Sequence, residues 1–137
     1  MTAFNPNELV RLSQTAETVL DPGEDIRGRQ IKDNDGNDLG KVHDLLIDQS
    51  ENRVLAMVVT HGHLFEKTTS VIPVNAIKWI TTDEVVVDHG KDKIAGSPAY
   101  DPELVYDDVY YAGVYDYYGY PAYWYDDYVY PVYPYYV

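Results

Sequence analysis

The sequence predicts a mainly β fold: a small antiparallel β-barrel, preceded by an N-terminal lead and followed by a low-complexity Tyr-rich C-terminal extension. Three observations predict it. Short apolar runs rich in Val, Ile and Leu recur between about residues 26 and 87 with turn residues between them. No long helical pattern interrupts those runs. All 15 tyrosines lie at or after Tyr100, and all 10 Lys and Arg lie at or before Lys93, so composition divides the chain. Gly90, Gly96 and Pro98 punctuate that division. The expected organisation is a lead over residues 1–24, a barrel domain over 25–93 and an acidic Tyr/Pro-rich extension over 94–137.

The elements follow in chain order. Asn5-Pro6-Asn7-Glu8 has the form of a helix start, with a capping Asn, Pro at the first helical position and an acid in the first turn. A short helix over about 6–13 is expected. Ile26 to Lys32 reads as a strand, Asn34-Asp35-Gly36-Asn37 as a hairpin turn, and Leu39 to Ile47 as a longer strand. Ser50-Glu51-Asn52 marks a second turn. Val54 to Val59 is almost wholly apolar, as in a strand buried on both faces. Val71 to Val74, Ile77 to Ile80 and Val85 to Val87 complete six strands. Pro73 cannot donate to a ladder, so its strand lies at a sheet edge or ends there. Closing the sheet into a barrel would remove exposed edges. A unit of this size hides little surface on folding. A homodimer, with partial docking of residues 94–110, is expected to supply the rest.

Composition excludes several functions. The net charge of −13 opposes sequence-independent nucleic-acid binding, which depends on Lys and Arg displacing phosphate counterions. Anionic membrane surfaces are disfavoured for the same reason. With no cysteine, disulfides, thiol nucleophiles and Cys-ligated zinc are excluded. No apolar run reaches the length of a membrane span, and no secretory signal pattern is seen, so a cytoplasmic location is expected.

The stretch from Asp25 to Val59, then His61-Gly62-His63-Leu64-Phe65, then Val71 to Val87, resembles the PRC-barrel family, named for the photosynthetic reaction-centre H subunit. The resemblance rests on Gly28, Asp35-Gly36, Leu39-Gly40-Lys41-Val42, Asp44, Asp48 and Pro73-Val74 with Ile77. The segment from Ile94 to Val105 and the Tyr/Gly/Pro-rich end resemble the extension of standalone bacterial members. Residue chemistry gives these positions structural tasks. Gly36 suits a tight hairpin, and Gly40 sits where a side chain would obstruct closure or a bulge. Asp48 is placed to bond turn amides, and Pro73 stiffens the entry to the next strand. The resemblance implies a non-enzymatic module for protein interaction or assembly, and no cofactor. Its H-subunit branch would imply an electron-transfer accessory.

His61 and His63 are weak metal candidates, since alternate residues of an extended segment point the same way. A metal-binding or small-ligand-binding stress protein is the rival reading. The Asp33 to Asp44 run superficially follows a calcium loop, but its glycine is misplaced and a hairpin is the better account. The serines lack a glycine-framed elbow. The Tyr-rich segment has no Lys or Arg beside its aromatic rings, so base stacking in a basic groove is not expected. Tyrosine suits protein contacts, because it covers much area at little entropic cost. Tyr110, Tyr111, Tyr117, Tyr118, Tyr123 and Trp124 are the expected partner-binding residues.

Overall fold

The computed structural model describes residues 9–12, 25–48, 53–61, 68–101, 106 and 108–122. The expected β fold is present as one curled sheet, a half-barrel, accompanied by two short helices. Its strands are β1 (Val10–Arg11), β2 (Gln30–Lys32), β3 (Asp38–Asp48), β4 (Arg53–His61), β5 (Thr68–Pro73), β6 (Ile77–Ile80) and β7 (Glu84–Val87). The helices are α1 (Lys91–Ala95) and α2 (Asp108–Tyr118).

The sheet runs β5-β4-β3-β2-β7-β6, and β1 pairs with β3. The long strand β3 organises it. Its beginning pairs with β2 and its end with β1, while β4 takes the other side. Register shifts bend the sheet: His43 is the extra residue of β3 against β4, and Leu55 the extra residue of β4.

Four expectations are corrected. Where a helix was expected over about 6–13, the described residues 9–12 carry β1, whose backbone pairs Val10 with Ile47 and Arg11 with Leu46. The flanking Leu9 and Leu12 are buried, so the sheet edge supplies both ladder partners and apolar cover. The strand over Ile26 to Lys32 shortens to Gln30–Lys32, because Gly28 adopts φ +89° and turns the chain after buried Ile26. The ladder is not wholly antiparallel, since β2 and β7 run parallel, with Ile31 opposite Val85. The described sheet is also not a closed ring. Its β5 edge is bridged by Ala99 opposite Ser70, and the Tyr100 N–H donates to the Thr69 carbonyl at 3.1 Å.

The hairpin stands as expected. Gly36 has φ +83°, and the Asp33 carboxylate accepts the N–H groups of Asp35 and Asn37 and the Asn37 amide. These bonds, the Asn37 side chain first, hold its pKa below the usual carboxylate range. Gly40 lies close against β4. A Cβ there would run into the Thr60 carbonyl oxygen, and the backbone lies at φ +110°. Pro73 closes β5 at the end of the sheet. Asp48 ends β3 opposite Arg53, and the turn after it lies outside the described residues.

The core draws on both faces of the central strands: Leu45 and Leu46 of β3 and Leu55 to Val59 of β4 have no exposed surface, nor have Ile31, Ile72 and Ile80. The extension completes it. Tyr111, Val114, Tyr115 and Tyr118 fall at i, i+3, i+4 and i+7 of α2 and are buried, and α2 packs against β5. Docking was expected over residues 94–110; it continues to Ala122, which is also buried. The boundary drawn at residue 93 falls within α1.

Candidate functional site

Tyr110, Tyr115 and Tyr117 of α2 are held through their hydroxyls. The Tyr115 phenol donates to the Leu55 carbonyl at 3.1 Å. Leu55 is the bulged residue of β4, so this bond satisfies a backbone acceptor where the ladder is interrupted. Tyr110 donates to the Ala99 carbonyl at 2.8 Å, and Tyr117 to the Lys93 carbonyl at 2.6 Å. Tyr106 and Tyr110 stack with ring centroids 3.9 Å apart. Burial pushes the Tyr110 phenol pKa up.

Past α2, Tyr120 meets His89, with its hydroxyl 2.8 Å from Nε2. The His89 ring also lies 5.0 Å from that of Tyr118. Burial lowers the His89 pKa, with Lys93 adding and Asp88 opposing. Tyr118 differs from its neighbours. Its hydroxyl is buried with no hydrogen-bond partner among the described residues, and burial pushes its pKa up to about 12. Ser97 opposes that shift from outside hydrogen-bond geometry; its own hydroxyl donates to the Ile94 carbonyl.

Four of the expected partner-binding residues are therefore placed. Tyr111 and Tyr118 are buried within this chain's own core, so the surface contact expected of them is taken up internally. Tyr110 and Tyr117 are half-buried and present only part of each ring. Tyr123 and Trp124 lie outside the described residues. On the outer face of α2, Val109 is 75% exposed.

A groove of about 1040 Å³ opens where β2, β3 and β4 meet α1. Leu39, Val42, Ile94 and Ala95 give it apolar lining. Gln30 and Thr60 add neutral polar groups. Lys41, His43 and Lys91 are exposed at its rim. Period-two alternation along β3 turns Lys41 and His43 outward while Val42 and Asp44 stay buried. The groove's carboxylate is Asp38, whose Oδ1 accepts the Gly40 N–H at 2.9 Å. The Lys91 backbone N–H lies against the Asp33 carboxylate, which ties α1 to the hairpin.

His61 faces this groove with Nε2 3.0 Å from the Ser70 hydroxyl, and burial lowers its pKa. His63 lies outside the described residues. Among the described residues no three His, Asp or Glu side chains gather as a metal site. His89, which does not line the groove, is engaged with the tyrosines instead. Sequence reasoning singled out Lys41 only as part of Leu39-Gly40-Lys41-Val42 and did not mark Lys91. Their juxtaposition depends on the β2–β7 pairing, which carries no local signal.

A curled β half-barrel with a tyrosine-bearing helix packed against β5, and a groove where β2, β3 and β4 meet α1, is the class of fold these features define. The PRC-barrel domain matches residues 21–94, more than half of the chain, and the chain belongs to the PRC-barrel domain family. Comparison with curated proteins gives no significant match. No helix among the described residues is long and apolar enough to cross a membrane.

Proposed function

We propose that this protein is a non-enzymatic interaction and assembly module, working in the cytoplasm and self-associating as a dimer. The observation that carries the reading is the groove. It combines an apolar lining with a lysine and histidine rim, in a chain whose net charge is −13. Apolar floors with charged rims suit protein segments, since the floor contributes affinity and the rim sets register and encounter rate. The docked tyrosines act as the anchor of the extension, and residues 123–137, with the outer faces of Tyr110 and Tyr117, act as its adaptor.

Cross-linking mass spectrometry in native cells tests this reading. Partner peptides joined to Lys41 or Lys91 are the expected result, and an Ala95→Trp variant, which fills the groove, removes them. Partner links that avoid the groove in wild type, or survive unchanged in the variant, would count against it. A second reading, a small-ligand site in the same groove, is favoured by His43 and His61 facing one cavity. It predicts a ligand-dependent rise in melting temperature, because a ligand that binds only the folded state stabilises it.

A further inference from the structure

We propose that the groove between the sheet and α1 is the seat of this chain's own acidic, tyrosine-rich residues 123–137. The proposal rests on reading the groove as an interaction surface and names its occupant. Charge points to it first. The ion pairs among the described residues are Arg27 with Asp25 and Lys32 with Glu84, so the ammonium groups of Lys41 and Lys91 at the rim have no acidic partner there. The carboxylate beside them, Asp38, is turned into its own strand by the Gly40 N–H.

Residues 123–137 have the complementary chemistry. They contain seven tyrosines, Trp124 and the adjacent pair Asp126-Asp127, with no Lys or Arg. Rings of this kind need an apolar floor, which Leu39, Val42 and Ile94 supply. The paired aspartates need cations at the lip.

Reach favours the same chain as the source. Tyr117 is bonded to the Lys93 carbonyl, and Tyr120 to His89, two residues before α1. Tyr120, three residues before Tyr123, is thus held beside the start of a helix whose Lys91, Ile94 and Ala95 line the groove. Four extended residues span about 14 Å. A helix with its side chains is about 10–12 Å across. Tyr123 to Asp126 is long enough to pass over α1 and bring the aspartates to the lysines.

Zero-length carbodiimide coupling of the dilute full chain tests the seat, using an equal mixture of isotopically light and heavy protein. The Lys32–Glu84 pair, at 2.8 Å, is the internal control for coupling. The expected result is an amide between Asp126 or Asp127 and Lys41 or Lys91, found only within one label. If the Lys32–Glu84 link forms without any link from Asp126 or Asp127 to those lysines, the proposal falls. It also falls if those links are found only between labels, which assigns the groove to a second copy. A second measurement is chymotrypsin cleavage after the tyrosines of 123–137, which should quicken several-fold in a Lys41→Glu, Lys91→Glu double variant. An unchanged cleavage rate overturns the seat. Partner links to Lys41 or Lys91 in native cells, combined with missing aspartate links, would remove this inference and leave the interaction reading standing.

Discussion

The sheet and the tyrosine helix bury their side chains by different physical means. In β3, β4 and β5 the hidden residues are chiefly Leu, Ile, Val, Ala and Met, which have no polar atoms to satisfy. Their fit depends on close backbone approach, seen most clearly where Gly40 passes the Thr60 carbonyl. In α2 the hidden residues are mostly tyrosines, each of which takes a hydroxyl out of water. Tyr115 resolves this at the β4 bulge, whereas Tyr118 has no such partner among the described residues. An aliphatic core thus tolerates exchange of similar shapes, while an aromatic layer is tied to particular carbonyls.

The largest effect is expected from emptying the centre of the aromatic layer. Tyr115→Ala should cost about 3–5 kcal/mol in urea unfolding, the usual range for deleting a buried aromatic side chain. A loss below about 1 kcal/mol would show that the layer is dispensable to the sheet. Gly40→Ala tests the other region. With both the Thr60 clash and the positive φ against it, the variant should lose about 2–4 kcal/mol. Gly36→Ala has open space around the new methyl and should lose only about 1–2 kcal/mol. Equal losses at the two glycines would mean that close strand approach is not what Gly40 provides.

Two phenol deletions sharpen the comparison within α2. Tyr115→Phe strands the Leu55 carbonyl and should cost about 1–2 kcal/mol. Tyr118→Phe removes a hydroxyl with no hydrogen-bond partner among the described residues and should change stability by less than about 0.5 kcal/mol at neutral pH. The same variant has an alkaline signature. The folded Tyr118 pKa of about 12 exceeds the ordinary 10.0, so the wild type loses stability as pH rises above 10. Tyr118→Phe should lose less over that range, by denaturant midpoint.

The smallest effect is expected on the acid side. The folded His89 pKa lies below 6.5, so its contribution is complete above that value and declines as pH falls below it. His61, also lowered by burial, acts in the same direction. A His89→Phe variant keeps a ring against Tyr118 and should show a flatter decline than wild type between about pH 7 and 5. Equal slopes would remove His89 from the account of how the extension is held.

Much of the sheet was legible because local pattern decides it. The unbroken apolar run of β4 had to be buried on both faces, the Asp35-Gly36 turn had to reverse the chain, and Pro73 had to sit at an edge. The parallel β2–β7 pair was not legible, since no residue of Gln30–Lys32 advertises a partner some fifty positions away. The helix over Asp108–Tyr118 was hidden for a different reason. Tyr, Val, Gly and Asp are all weak helix formers, and tyrosines at 110 and 117 blurred the stripe at 111, 114, 115 and 118. Tertiary packing, not propensity, makes that helix. The groove inherited both difficulties, because it needs the β2–β7 pairing and α1 in place before Lys41 and Lys91 line one cavity.

The parallel contact between β2 and β7 has a consequence for how the molecule is made. Gln30 cannot find Glu84 until everything between them has been synthesised and threaded around, so the early strands wait for the late one. Proteins dominated by such distant pairings acquire their structure slowly. During translation the aliphatic β3 and β4 therefore emerge before β2 has its second ladder partner and before α2 arrives. That interval is when a nascent chain of this kind most needs a chaperone.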